Sequence, residues 1–211
     1  GFMGSLKDDP KDDRIYTHGK AYRSHPGFNL VGFVDTDIER AMLASSRWGG
    51  IAYQTIDEAF DNHEIDVVSV ATPDATHCEV LIDLAKRPIR HVFCEKPLVN
   101  TRDELERVEK AFAKSNVKVT VNHTRRFLPQ VLEVKSNIDR GMYGEYLYAV
   151  GHFGNGLIHD GCHMVDLMLY LVDTLENFHF HEISSHFYRI FELDVFFDKA
   201  RVRFTDFGWQ I

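Results

Sequence analysis

The stretch His91-Val92-Phe93-Cys94-Glu95-Lys96-Pro97, "HVFCEKP", decides how the chain is read. An apolar run ends at once in a glutamate, a lysine and a proline. Proline cannot donate to a strand ladder and steers the residue before it away from helical backbone, so a strand has to stop there. Lys96 is therefore expected at the lip of a sheet. In an open α/β sheet, ligands bind outside the carboxyl ends of the strands, which makes that lip a candidate site.

On the N-terminal side, "NLVGFVDTD" holds an apolar run from Leu30 to Val34 that stops at Asp35. An amphipathic stretch from Ile38 to Trp48 follows, closed by Gly49-Gly50, which reads as a strand, a helix and a glycine stop. "TIDEAF" carries a capping box, Thr55 with Glu58, and opens a short helix. "IDVVSVATP" is a strand ending at Pro73, and "HCEVLIDLAK" is helical. Beyond Pro97, Thr101 and Glu104 form a second capping box. Leu105, Val108 and Phe112 then recur at helical spacing before the strand "VKVTV". Strand and helix alternate over residues 30 to 121, which predicts parallel strands joined by right-handed crossovers in a doubly wound sheet.

After Pro129 the pattern changes. "QVLEVKSNIDRG" reads as a helix and "GEYLYAVGHF" as a strand. "GLIHDGCHMVDLMLYLV" is a helix with Val165, Met168, Leu169 and Val172 on one face, and the aromatic alternation of "FELDVFFDKARVRFTDFGWQI" predicts antiparallel sheet. Two domains are expected, residues 1–121 and 122–211.

With 211 residues, 44% of them hydrophobic, the chain can bury one good core or two small ones. A formal charge of −8 and the lack of a basic patch argue against a nucleic-acid surface, which needs clustered Lys and Arg. No apolar run reaches bilayer length, and the first residues lack the order of a signal peptide, so a cytoplasmic protein is expected. Three unclustered cysteines, Cys78, Cys94 and Cys162, suit a reducing compartment better than a disulfide framework.

The strand ends carry the candidate chemistry. Asp35, with Thr36 after it, closes a strand where an acidic side chain would accept hydrogen bonds from a ribose 2′-hydroxyl and repel a 2′-phosphate, favouring NAD over NADP. It could equally start the turn "DTD". Ala71-Thr72-Pro73, with His77 beyond, would let a cofactor lie against the backbone, or is an ordinary strand-to-helix turn. The G-x-G-x-x-G loop that cradles a pyrophosphate is absent: Gly1 and Gly4 have no strand before them, and a charged stretch from Lys7 to Arg14 separates them from the helix-like "HGKAYRSH".

"VDTD", "SVATPDATH", "CEKP" and "GCHMVDLMLYL" occur in the order found in the Gfo/Idh/MocA family, the glucose-fructose oxidoreductase and inositol dehydrogenase relatives, which the chain resembles from about residue 18 to its end. The resemblance implies an N-terminal Rossmann domain binding NAD, or alternatively NADP. It also implies a C-terminal α+β domain whose open, mostly antiparallel sheet makes a homodimer or homotetramer interface. It implies that Lys96 contacts the substrate oxygen and the nicotinamide ribose, that His163 exchanges the proton, and that Glu95 shapes the nicotinamide pocket. An imidazole titrating near neutrality and a neighbouring ammonium suit oxidation of a secondary alcohol. Many relatives carry aspartate where His159 stands, so His159 would bind substrate or Asp160 would partner His163. Asp166 is the other helix carboxylate. "NHTRRFLP" resembles the family's Arg-Phe-x-Pro segment; Arg126 would reach a hydroxyl-rich or anionic substrate, with a surface ion pair the plainer role, more so for Arg125.

Two rival classes remain. His159 and His163, with Asp160, Cys162 and Asp166 nearby, could ligate a metal in a hydrolase, although the glutamate of H-E-x-x-H is missing and Gly161 interrupts the helix. A non-catalytic nucleotide-binding or assembly protein is the other, suggested by the missing phosphate loop and a second domain that is short for the family. An incomplete chain would account for both shortages. The expected substrate is a sugar, sugar nucleotide or polyol, with neither nucleic acid nor membrane as partner and no resident metal.

Overall fold

The structure, a computed structural model, describes residues 2–11, 13–184 and 188–211. Gly1, half of the glycine pair considered for a phosphate loop, lies outside them. The chain divides into two compact units, Gly1–Asn122 and His123–Ile211.

In the first unit, α1 (His18–Ser24) precedes β1 (Gly32–Val34), α2 (Ile38–Trp48), β2 (Ile51–Tyr53) and α3 (Ile56–Asn62). There follow β3 (Val67–Val70), α4 (His77–Leu84), β4 (His91–Glu95), α5 (Arg102–Phe112) and β5 (Lys118–Asn122). All strand pairs are parallel, as the alternation predicts. They form two sheets, β1-β2 and β3-β4-β5. Strand β2 is a correction to the sequence reading, which passed from the Gly49-Gly50 stop to the next helix. Three residues are too few to show a period. Both capping boxes form: Thr55 takes the Glu58 N–H and Thr101 that of Glu104, with each glutamate reaching back.

The apolar face of β3-β4-β5 packs Val70, Val92 and Cys94 against Cys78, Leu81 and Leu84 of α4 and Val108 of α5. Side chains alternate across a strand, so Ser69, Phe93, Glu95 and Asn122 share the other face. Helix α1 meets that face, its His18 ring 5.4 Å from that of Phe93. On its other side, Gly19 leaves no room for a side chain: a Cβ there would lie 3.0 Å from both Phe33 and Trp48. The segment before α1 is tied down by two buried charges. The Asp8 carboxylate accepts from Tyr16 N, Thr17 N and Thr17 Oγ1, and Lys20 Nζ donates to the carbonyls of Asp9 and Arg14.

The second unit holds α6 (Pro129–Asp139), β6 (Tyr146–Phe153), α7 (Cys162–Val172), β7 (Phe178–Glu182), β8 (Phe191–Phe197) and β9 (Arg201–Phe204). Its sheet runs β7-β6-β8-β9. Strand β8 is antiparallel to β6 and β9, as the aromatic alternation predicts, whereas β7 is parallel to β6. Phe153, Phe191, Leu193, Val195 and Phe204 of the sheet bury against Val131 and Val134 of α6 and the α7 stripe. That stripe is Met164, Leu167, Met168 and Leu171, not the expected Val165, Met168, Leu169 and Val172; Leu169 is exposed. Helix α7 is entered through a π-helical turn, Leu157–Gly161, and its buried face lies one residue earlier than the sequence reading places it. At Gly151 a Cβ would lie 2.1 Å from Met164 Sδ, so the missing side chain lets α7 approach β6.

Candidate active site

Parallel strands put their carboxyl ends on one edge of a sheet, and the first unit gathers its candidate residues at such ends. Asp35 follows β1, Ala71-Thr72-Pro73 follow β3, and Glu95 closes β4 with Lys96 immediately after it. Asp35 is half-buried, and its Oδ1 accepts from the Asp37 N–H at 3.0 Å, so the turn-forming role holds. Asp37 in turn caps α2. The Thr36 carbonyl accepts from Gln54 Nε2 at 3.2 Å.

Thr72 and Pro73 are exposed and lead into a 3₁₀ turn, Asp74–Thr76, from which α4 begins at His77. The His77 ring is fully buried. Its Nδ1 lies 2.8 Å from the Pro97 carbonyl oxygen and its Nε2 3.0 Å from that of Thr72. One side chain thus ties the turn after β3 to the turn after β4. Lys96 is half-buried, and the Lys96–Pro97 peptide bond is cis.

Glu95 is the most constrained carboxylate of this edge. Its Oε1 is 2.8 Å from His18 Nε2 and accepts from Asn122 Nδ2 at 2.8 Å. Burial alone would raise its pKa; the hydrogen bonds from His18 and Asn122, with the charge of His18, outweigh burial and hold it below the ordinary 4.5. The neighbouring Cys94 thiol, buried in the core, is pushed up to about 12 by desolvation and then by the Glu95 and Asp74 charges, which makes it inert at neutral pH. His18 carries no pattern that singles it out in the sequence. Its partners lie 51 and 77 residues away, and only the folded sheet brings them together.

In the second unit, Arg126 makes a two-pronged ion pair with Asp166: Nε lies 3.0 and 2.9 Å from the two oxygens and Nη2 2.6 Å from Oδ1. Arg126 thus makes an ion pair, the role the sequence reading gave more readily to Arg125. Arg125 stacks over Phe191 at 4.2 Å. Burial lowers its pKa, opposed by the charges of Asp160 and Cys162. His123 Nε2 is 3.8 Å from Asp166 Oδ1, and its ring stands edge-on to that of His163, with centroids 5.5 Å apart. Asp166, His123 and His163 thus form one polar cluster between Arg126 and the start of α7. Sequence reading had no role for His123. His159 sits in the π-helical turn and is exposed, with Asp160 half-buried beside it. Among the described residues, no three His, Cys, Asp or Glu side chains gather as metal ligands. No helix of the described residues is long and apolar enough to cross a membrane.

The strand-end residues of the first unit fit a dinucleotide. An acid closes β1, small exposed residues follow β3, and a lysine follows a fixed carboxylate on β4. The phosphate cradle differs from the usual pattern, because no strand-to-helix turn among the described residues of this unit contains glycine.

These features define a Rossmann-type nucleotide-binding unit followed by an α/β unit with a mixed sheet. The profile of the Gfo/Idh/MocA family, an oxidoreductase family with an NAD-binding Rossmann fold, matches residues 15–123, just over half of the 211 residues, and the chain belongs to that family. It is 30% identical over 137 residues to an inositol 2-dehydrogenase from Rubrobacter xylanophilus, covering 64% of this chain and 39% of that enzyme. To oxidoreductase P35 from Formosa agariphila it is 28% identical over 187 residues, covering 75% of this chain and 57% of the relative. The chain therefore spans well under two thirds of the length of these relatives. Among solved structures, the WlbA dehydrogenase from Bordetella pertussis, in complex with NADH and UDP-GlcNAcA, shares the fold, with a TM-score of 0.74 at 19% identity, covering 88% of this chain and 74% of that one.

Proposed function

We propose that the protein is an NAD-dependent oxidoreductase that transfers a hydride between the nicotinamide and a hydroxyl or keto carbon of a sugar, sugar nucleotide or polyol. The observation that carries this reading is Glu95-Lys96-Pro97 at the carboxyl end of β4 in a chain of this family. The substrate class is supported by the inositol 2-dehydrogenase relative and by the sugar-nucleotide complex of the Bordetella structure.

When bound, NAD supplies the hydride acceptor. Asp35 and Thr36 bind the adenosine ribose, and the Asp35 charge disfavours a 2′-phosphate. Ala71, Thr72 and Pro73 lie along the cofactor, Glu95 borders the nicotinamide, and His77 acts from beneath by holding the two turns together. Lys96 places its ammonium by the substrate oxygen, where it stabilises negative charge as the hydroxyl proton leaves. His163 accepts that proton at a ring nitrogen and returns it in the reverse direction. Arg126, His159 and Asp160 contact the substrate. The exposed sheet face bearing the stacked Tyr148 and Phe196 is the surface through which two copies pair.

The test is to supply NAD and, in turn, myo-inositol, glucose and UDP-N-acetylglucosamine, following NADH formation. Turnover with at least one of them is expected, and Lys96→Met should abolish it while leaving the melting temperature unchanged. Undiminished turnover in a folded Lys96→Met variant would sink the mechanism.

A further inference from the structure

One half-buried polar chain in the first unit reaches Glu95 through residues that have no part in the scheme above. It begins at Tyr22, whose hydroxyl oxygen is 2.7 Å from Ser69 Oγ. Ser69 Oγ is 3.0 Å from His18 Nδ1, and His18 Nε2 is 2.8 Å from Glu95 Oε1, which also accepts from Asn122. The chain links two turns of α1 to the ends of β3, β4 and β5.

Chemistry fixes its inner end. A carboxylate held below its ordinary pKa only accepts, so the proton between His18 and Glu95 sits on Nε2. Nδ1, on the other side of the ring, faces Ser69 Oγ. The Tyr22 phenol, pushed up by burial against the opposing Ser69 hydrogen bond, keeps its proton at the outer end of the chain. The base of the chain is rigid: Thr17, the residue before His18, caps α1 and is itself gripped by the buried Asp8 carboxylate.

We infer that His18 is a positioning residue: with Nδ1 held by Ser69, it donates from Nε2 and fixes the Glu95 carboxylate at the end of β4 and with it the backbone from which Lys96 projects. The inference rests on the proposed function only for what Glu95 and Lys96 do once placed. Nothing in the sequence points to His18, because a histidine at the start of a short helix has no partner within reach along the chain.

The experiment combines histidine-ring ¹⁵N NMR with NADH titration of the wild type and of His18→Gln, His18→Phe and Ser69→Ala. In the wild type, His18 should carry a proton on Nε2, the nitrogen that faces Glu95. His18→Phe should weaken NADH binding about tenfold or more, the order expected when a buried carboxylate loses a hydrogen-bond donor. His18→Gln, whose amide can still donate to Glu95, should recover most of that loss. A purely space-filling role predicts the reverse ranking, with Phe tolerated and Gln impaired. If His18→Phe does not fold, Ser69→Ala carries the test and must weaken NADH binding. An Nδ1–H tautomer in the wild type, or wild-type NADH affinity in the folded Phe variant, would overturn the inference. A wild type that binds no NADH would instead count against the proposed function, and the tautomer would still decide the positioning claim.

Discussion

The Nδ1 atom of His77 lies 2.8 Å from the carbonyl oxygen of Pro97, twenty residues along the chain, while the other ring nitrogen faces the carbonyl of Thr72. A fully buried imidazole therefore stands between the two turns that the proposed function assigns to the cofactor. His77→Phe keeps the volume of the ring but removes the polar ring between the two carbonyls and leaves a buried carbonyl without its donor. Unfolding stability should fall by about 1–3 kcal/mol, the usual cost of stranding a buried polar group. NADH affinity should fall with it, because both turns loosen. Thermal melts with and without NADH check this. A variant that melts like the wild type would show that the ring does not clamp the turns.

The pairing of Arg126 with Asp166 separates a structural arginine from a substrate-binding one. Arg126→Ala should destabilise the second unit by about 1–3 kcal/mol, since Asp166 loses a two-pronged charged partner in a largely buried position. Arg126→Lys keeps the charge but not the fork and should recover only part of the loss. Chemical denaturation measures the stability, and the Michaelis constant of an identified substrate measures the other role. A large rise in that constant with unchanged stability would place Arg126 on the substrate alone.

Acid should loosen the segment before α1. Burial opposes ionisation of Asp8, but hydrogen bonds from Tyr16 and Thr17 outweigh it and hold the carboxyl below its ordinary 3.8. A carboxylate with a lowered folded pKa stabilises the protein fully above its unfolded value, and the contribution is lost as pH falls through the folded one. The wild type should therefore lose stability from about pH 4 downward at this group. Asp8→Asn should be less stable at neutral pH and show a smaller acid-induced loss. Melting curves across that range decide it; equal pH slopes for the two proteins would exclude Asp8 as a contributor.

Features set by neighbours along the chain were legible in the sequence, and those set across space were not. The capping residues Thr55 and Thr101 were readable because each meets a glutamate three positions on. Strand β4 was readable because Pro97 ends it. The alternation over residues 30 to 121 is borne out by parallel pairing throughout the first unit. Strand β2 was missed because three residues carry no period. The parallel pairing of β7 with β6 was missed because local alternation does not encode a partner. The α7 stripe was placed one residue late, since an apolar helix offers several equivalent faces and packing against the sheet and α6 chooses among them. In the site, Asp35, Glu95, Lys96 and His163 stood out through their motifs. His18 and His123 did not, because their roles exist only through residues brought near by the sheet or by the turn ahead of α6.

The most direct measurement is a titration of cofactor-stripped protein with NADH and, separately, NADPH, following energy transfer to the nicotinamide from Trp48 and Trp209. Saturable binding of NADH, tighter than that of NADPH, is the predicted result and supports both the cofactor and the role of Asp35. Tighter binding of NADPH would remove that role from Asp35 while keeping the dinucleotide site. Absence of saturable binding by either nucleotide to the folded protein would contradict the account.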